Sequence, residues 1–135
     1  MIIKDEQAML DAGAKLALQL QPGMLVFLQG DLGAGKTTLV RGVLRGLGHQ
    51  GAVKSPTYNL VEAYLINEQT LFHFDLYRLM DDEELEYMGM RDYLNKESIC
   101  FIEWPDKGAG FLPEPDMLLE IKINGCQREL LISVA

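Results

Sequence analysis

Residues 30–38, GDLGAGKTT, constrain the fold of this chain more than any other segment, because they match the P-loop pattern G-x-x-x-x-G-K-[ST]. The apolar residues 24–28 precede the match, and a helical pattern follows it. Between a strand and a helix, the N–H groups of such a loop and of the helix N-terminus point at one spot and bind an anion. The sequence therefore predicts a nucleotide-binding α/β fold whose phosphate site lies in this loop.

Each residue type in the loop has a chemical reason to be there. We expect Gly30, Gly33 and Gly35 to supply positive φ angles and close backbone approach. The Lys36 ammonium can reach the β- and γ-phosphates of a nucleoside triphosphate, and the Thr37 hydroxyl is placed to bind Mg²⁺. The candidate phosphate-binding residues are Leu32, Gly33, Ala34, Gly35, Lys36, Thr37 and Thr38.

The composition argues against several classes of protein. With 135 residues, 48% hydrophobic and 24% charged, the chain is expected to form one globular domain, residues 1–135. The net charge of −8 argues against an extended nucleic-acid surface, which needs a basic face. No apolar run approaches the ~18 residues of a membrane span, and the N-terminus lacks the pattern of a signal peptide. We therefore expect a cytoplasmic protein with no membrane contact, whose Cys100 and Cys126 are reduced thiols.

Hydrophobic periodicity and turn residues predict the remaining elements. The predicted helices are residues 5–20, the P-loop helix ending before Gly48, and residues 81–88. The predicted strands are residues 24–28, 58–66, 70–78, 99–102, 117–123 and 126–134, the last two joined by an Asn124-Gly125 turn. We therefore expect an α/β fold: a single P-loop NTPase-like domain with a mixed sheet. Its core strands would be parallel, its flanking strands antiparallel, and its helices packed on the sheet.

Two carboxylates on predicted strands are candidates for metal binding and catalysis. Asp75 lies within an otherwise apolar and aromatic strand, where an ionised carboxylate needs a partner. Glu103 directly follows the apolar residues 99–102, and ligands of open α/β sheets bind beyond the carboxyl ends of such strands. In a P-loop protein this is the expected form of a Walker B acid. Glu103 is therefore predicted to hold the metal or to position the attacking water.

Other classes of nucleotide-binding protein remain as alternatives. A small P-loop kinase that phosphorylates a metabolite usually has an arginine-bearing lid, whereas the five arginines here are scattered along the chain. A GTPase would need Asn-Lys-x-Asp after a late strand, but residues 95–98 read Asn-Lys-Glu-Ser and precede their strand. A binding module gated by nucleotide, with incidental catalysis, is also compatible with the motif.

Four segments together resemble the TsaE (YjeE) family: residues 30–38, Ser55-Pro56-Thr57-Tyr58, HFDLYR at 73–78, and Ile102-Glu103-Trp104. These are P-loop ATPases that support threonylcarbamoylation of adenosine 37 in ANN-decoding tRNAs, and the resemblance covers nearly the whole chain in order. It implies that the chain hydrolyses ATP to ADP with Mg²⁺ and works with the TsaB–TsaD pair. TsaD would transfer the threonylcarbamoyl group while the ATP cycle sustains turnover. Contact with tRNA would be indirect, through basic surfaces of the partners.

The resemblance also implies roles for single residues. Lys36 and Thr37 would bind phosphate and metal, and Thr57 would lie in a switch-like loop near the γ-phosphate. Asp75 and Glu103 would serve the magnesium and the attacking water. Further positions that would touch or flank the nucleotide are Trp104, Glu6 and Arg128.

Overall fold

The computed structural model of the chain describes residues 1–56 and 60–135. Its strands are β1 Ile2–Ile3, β2 Leu25–Gln29, β3 Val61–Ile66, β4 Gln69–Asp75, β5 Ser98–Glu103, β6 Met117–Asn124 and β7 Gln127–Val134. Its helices are α1 Glu6–Ala17, α2 Lys36–Gly46, α3 Glu83–Tyr87 and α4 Met90–Tyr93. Pro105–Gly108 forms a single 3-10 turn. The predicted α/β class is confirmed.

The described strands form one sheet in the order β1-β7-β6-β2-β5-β4-β3. The strands β6, β2, β5 and β4 run parallel to one another, whereas β3, β7 and β1 add antiparallel flanks. The predicted mixed sheet with a parallel core is therefore confirmed. Because parallel strands end at the same edge, the loop after β2 meets the carboxyl ends of β5 and β4. The register pairs Glu103 with Leu28 on one side and with Asp75 on the other.

Hydrophobic side chains fill both faces of the sheet. The core beneath α1 and α2 includes Leu16, Leu28, Leu39, Leu44, Leu71 and Phe101. The core on the opposite face includes Phe74, Leu76, Leu85, Met90 and Ile102. Every residue of β5 is buried, as its apolar run predicted. None of the helices in the described ranges is long and apolar enough to cross a membrane.

Glycines allow α1 to pack directly on the P-loop helix. A Cβ at Gly13 would lie 2.4 Å from the Leu39 carbonyl oxygen, and a Cβ at Gly42 would lie 2.4 Å from the Leu10 carbonyl oxygen. Any larger residue would therefore force the two helix backbones apart. This close packing fixes α2, which carries the phosphate-binding candidates at its N-terminus.

Several predicted boundaries were wrong in ways that have a structural reason. The strand predicted for 70–78 ends at Asp75, so this carboxylate stands at a strand end and not within a strand. The final hairpin turns at Gly125 and Cys126, one residue later than predicted, because Asn124 pairs with Gln127. Gly125 has φ of 62°, the positive angle that the first position of a two-residue hairpin turn requires.

Candidate functional site

The P-loop connects the end of β2 to the start of α2. Gly33 and Gly35 have φ of 81° and 107°, as expected for residues that turn the loop around an anion. Gly30 does not have a positive φ, so that expectation was wrong. Close approach explains this glycine instead, because a Cβ at Gly30 would lie 2.9 Å from the Ile121 carbonyl oxygen.

The N-terminus of α2 suits an anion. Gly35 is its N-cap and offers no side chain to the first N–H groups of the helix. Its first turn carries Lys36, Thr37 and Thr38 and no acidic side chain. The unpaired N–H groups and the helix dipole therefore favour a negative ligand at this end.

The Lys36 ammonium is buried, with 6% of the residue exposed. Its Nζ donates to the Gly30 carbonyl oxygen at 2.6 Å and lies 3.6 Å from Glu103 Oε1. The same Nζ lies 4.2 Å from the centre of the Trp104 ring. Lys36 therefore has three partners within the chain, and a phosphate would have to compete with them.

Glu103 ends β5 and is 3% exposed. While Oε1 faces Lys36, Oε2 lies 2.5 Å from His73 Nε2 on the neighbouring strand β4. His73 is fully buried and was given no role in the sequence interpretation. The available signal was the two-residue strand period, which places His73 on the same face as Asp75. That Asp75 lies opposite Glu103 depends on the register of β4 and β5.

Asp75 lies at the end of β4, half-buried, directly beside Glu103 in the sheet. Its Oδ1 accepts a hydrogen bond from the Tyr77 backbone N–H at 3.0 Å, which is the partner that its burial required. Burial raises the pKa of Asp75 above its ordinary 3.8, and the negative charge of Glu103 adds to the rise. The Tyr77 N–H and the Lys36 ammonium oppose the rise without cancelling it. A nearby cation would therefore stabilise the ionised carboxylate.

A cavity of about 340 Å³ lies between the P-loop and the ends of β4 and β5. Its lining residues are Leu32, Gly33, Gly35, Lys36, Thr37, Thr38, Ser55, Asp75, Glu103 and Trp104. Within the described ranges no cluster of three or more His, Cys, Asp or Glu side chains could hold a metal by itself. The hydroxyl of Thr37 and the two carboxylates nevertheless suit Mg²⁺, which uses one or two protein carboxylates together with phosphates and water. Thr57 lies outside the described residues, so its predicted role stays a prediction.

A second cavity of about 280 Å³ adjoins the first and shares Gly33, Gly35 and Thr38 with it. Its lining also includes Ile3, Lys4, Asp5, Glu6, Met9, Ala34, Cys126 and Arg128. Arg128 donates from Nε to the Ala34 carbonyl oxygen at 3.2 Å and from Nη2 to the Gly33 carbonyl oxygen at 3.3 Å. Glu6 Oε1 accepts from Arg41 Nη2 at 2.6 Å. Residues 3–9 and residues 126–128 therefore border the P-loop on this side.

Trp104 has φ of 56° and ψ of 50°, a left-handed conformation that is rare for a bulky residue. Its ring centre lies 5.0 Å from that of Tyr77, which is 42% exposed. Such backbone strain persists only where the surroundings over-determine it, and it clusters at functional sites. In this position the indole ring forms one wall of the larger cavity.

A model of the protein family described as "Threonylcarbamoyl adenosine biosynthesis protein TsaE" matches residues 3–130. The chain belongs to the TsaE family. This confirms the resemblance of the sequence segments, and the family's description places the family in threonylcarbamoyl adenosine biosynthesis.

Known TsaE proteins and a solved structure agree with this assignment. The chain is 59% identical over 124 residues to the TsaE of Haemophilus influenzae, covering 88% of this chain and 78% of that protein. It is 37% identical over 105 residues to the TsaE of Bacillus subtilis, covering 78% of this chain and 65% of that protein. The crystal structure of Bacillus subtilis YdiB superimposes with a TM-score of 0.83 at 26% identity, over 100% of this chain and 84% of that one.

In this TsaE chain, most of the candidate residues lie around the two cavities. The larger cavity brings together Lys36, Thr37, Asp75, Glu103 and Trp104. Glu6, Ala34 and Arg128 line the smaller cavity and not the larger one. The predicted site residues therefore divide into two groups that share the glycines of the P-loop.

Proposed function

We propose that this TsaE-family chain binds ATP with Mg²⁺ and hydrolyses it to ADP. We further propose that this cycle sustains turnover of the TsaB–TsaD pair in threonylcarbamoylation of adenosine 37 in ANN-decoding tRNAs. One observation carries the proposal: Lys36, Thr37, Asp75 and Glu103 line a single cavity beside the N-terminus of α2. The names of the TsaE relatives support the pathway.

Different residues around the larger cavity would have different roles in ATP hydrolysis. The N–H groups at the start of α2 and the Lys36 ammonium would bind the phosphates. The Thr37 hydroxyl and the Asp75 carboxylate are the groups that would hold Mg²⁺. When bound, the ion would neutralise charge on the phosphates and orient them. Glu103 presents Oε1 toward Lys36 and would orient the attacking water.

The smaller cavity would take the remainder of the nucleotide. The larger cavity, which would hold the phosphates, is called the phosphate cavity. Because the smaller cavity adjoins it through Gly33, Gly35 and Thr38, one ligand could extend from one cavity into the other. Arg128 donates hydrogen bonds to two carbonyl groups of the P-loop and so would couple β7 to nucleotide binding. Glu6 supplies an acceptor on the same side.

The proposed role is that of one domain, residues 1–135, acting in the cytoplasm as a nucleotide-dependent partner. The net charge of −8 favours tRNA contact through TsaB and TsaD and not through this chain. If the chain is a switch, ATP and ADP must differ in their effect on the residues that meet the partners. Ser55 and Asp75 line the phosphate cavity and are suited to sense a γ-phosphate.

The decisive experiment measures phosphate release by the purified chain with Mg²⁺ or with EDTA, alone and with purified TsaB and TsaD. We expect release to require Mg²⁺ and to rise with the partners, and we expect multi-turnover tRNA modification to need the chain with Lys36 intact. Lys15→Ala, an exposed change on α1, is a control for the Lys36 substitution because it removes the same type of charge away from both cavities. Transfer of phosphate to a metabolite without free phosphate would favour the kinase. Full tRNA modification by the pair alone would refute the proposed role.

A further inference from the structure

His73 is a polar residue in a fully buried position of β4. It lies opposite Phe101 in the sheet, and its neighbours along the strand are half-buried Phe72 and fully buried Phe74. Its Nδ1 has no hydrogen-bond partner in the part of the chain that the structure describes. Leaving a buried nitrogen unpaired costs free energy that an aliphatic side chain of similar volume would not incur. Packing alone therefore does not explain a histidine here.

The bond from Nε2 to Glu103 Oε2, at 2.5 Å, is the contact that distinguishes His73 from an aliphatic residue. An ionised carboxylate only accepts hydrogen bonds, so Nε2 is the donor and carries the hydrogen. The neutral ring then has its lone pair at Nδ1, and no buried N–H is left without an acceptor. This tautomer is the one that the surroundings of the ring favour.

The bond also determines how Glu103 is held. With Oε2 bonded to His73, Oε1 is the oxygen that faces Lys36 at 3.6 Å, and Glu103 lines the larger cavity. Lys36 is the second partner of this carboxylate, and a phosphate would draw its ammonium toward itself. His73 would then be the partner that keeps Glu103 in place, because it belongs to the rigid parallel core of the sheet.

We infer that His73 is a positioning residue for Glu103: it fixes the carboxylate so that Oε1 is held toward the reacting phosphate and water. The inference rests on the proposed hydrolysis of ATP. Neither the family description nor the names of the relatives assign a role to this residue. A positioning residue of this kind affects the rate of the hydrolysis step and not the affinity for the nucleotide, which the P-loop would determine.

The test compares His73→Leu, which removes the donor, with His73→Gln, whose amide N–H₂ can replace it. Single-turnover hydrolysis gives the chemical step, and emission of Trp104, the single tryptophan of the chain, gives the affinity for ATP. We expect His73→Leu to lower the hydrolysis rate by about 10- to 100-fold, the usual effect of losing a hydrogen-bonded supporting partner. Its affinity for ATP should stay within about twofold of the original, while His73→Gln should retain most of the rate.

A double-mutant cycle tests whether His73 acts through Glu103. In a Glu103→Gln background, His73→Leu should cause little further loss of hydrolysis, because the group that it positions is already gone. Additive losses would overturn the inference, as would equal losses in the leucine and glutamine variants, or a loss confined to ATP affinity. If His73→Leu does not fold, His73→Met replaces it. Failure of both apolar variants to fold would show a packing role and would also overturn the inference.

The cycle can also be measured without hydrolysis. Urea unfolding of the original chain, His73→Leu, Glu103→Ala and the double variant, followed by Trp104 emission, gives the coupling between His73 and Glu103, because Glu103→Ala removes the hydrogen-bond acceptor that glutamine would keep. If the unmodified chain releases no phosphate even with TsaB and TsaD, the proposed function fails, whatever the coupling. If phosphate is released but unfolding shows no coupling, the positioning inference fails and the proposed function stands.

Discussion

Replacing Glu103 with glutamine should tighten nucleotide binding and slow hydrolysis. In the chain, Glu103 Oε1 attracts the Lys36 ammonium, which a bound phosphate also needs. The same carboxylate repels any phosphate that enters the cavity. Glutamine removes both effects, and its size and side-chain oxygen preserve a hydrogen-bond acceptor for His73.

The size of the effect follows from the geometry. Lys36 Nζ and Glu103 Oε1 are 3.6 Å apart, and the two side chains are 6% and 4% exposed. At this separation two unit charges attract by about 5 kcal/mol when the effective dielectric constant is about 20. That figure is an upper limit for the gain, because Lys36 can bind phosphate without leaving Glu103 completely. Recovery of about 1.4 kcal/mol is already a tenfold change in affinity.

We therefore expect Glu103→Gln to bind ATP and ADP at least ~10-fold more tightly in EDTA. With Mg²⁺ it should hydrolyse ATP about 100-fold more slowly or worse, the usual effect of losing a positioned catalytic group. Calorimetry or Trp104 emission gives the affinity, and single-turnover phosphate release gives the rate. Glu86→Gln, which removes an exposed charge on α3, should change neither quantity. Weaker nucleotide binding by Glu103→Gln would refute the electrostatic reasoning, and normal hydrolysis would remove Glu103 from the catalytic role.

Three further predictions follow from single contacts. Lys36→Ala should lose most ATP affinity and all hydrolysis, and unchanged affinity in a titration would contradict the assignment of the phosphate site. Gly42→Ala should lower the free energy of unfolding by about 1–3 kcal/mol, because its Cβ would lie 2.4 Å from the Leu10 carbonyl oxygen. Urea unfolding measures this change. Burial raises the pKa of the Cys100 thiol from 9.0 to about 12. The contribution of this thiol to the free energy of unfolding is therefore fully present below pH 9.0 and is lost as the pH rises toward 12. A thiol reagent at pH 8 should therefore modify exposed Cys126 in the folded protein, and Cys100 only after unfolding.

Local signals in the sequence were sufficient for the central part of the fold. The P-loop lies between a strand and a helix, as its pattern and flanking segments predicted. The apolar run before Glu103 is a fully buried parallel strand, because a sheet covered on both faces needs apolar residues on both. Each of these features depends on residues that are neighbours in the chain. They could therefore be predicted without knowing the order of the strands.

Contacts that depend on strand register could not be predicted in this way. The bond between His73 and Glu103 joins residues thirty positions apart and requires β4 to pair with β5 in one register. A shift by one residue would turn His73 to the other face of the sheet. The end of β4 at Asp75 is also determined across strands, because the bond from the Leu76 N–H to the carbonyl oxygen of Glu103 joins β4 to the last residue of β5. No periodicity in residues 70–78 contains that information.

The position of β2 in the sheet explains why one nucleotide could contact strands on both sides of it. The strands β5 and β4 lie on one side of β2 and supply Glu103 and Asp75 to the larger cavity. The strands β6, β7 and β1 lie on the other side, and β7 supplies Arg128 to the smaller cavity. Between them, Gly33 and Gly35 border both cavities. A γ-phosphate would therefore contact mainly the side of β4 and β5. The part of the nucleotide common to ATP and ADP would contact the side of β6, β7 and β1. A partner protein whose affinity differs between the ATP-bound and ADP-bound chain should accordingly bind at the ends of β4 and β5.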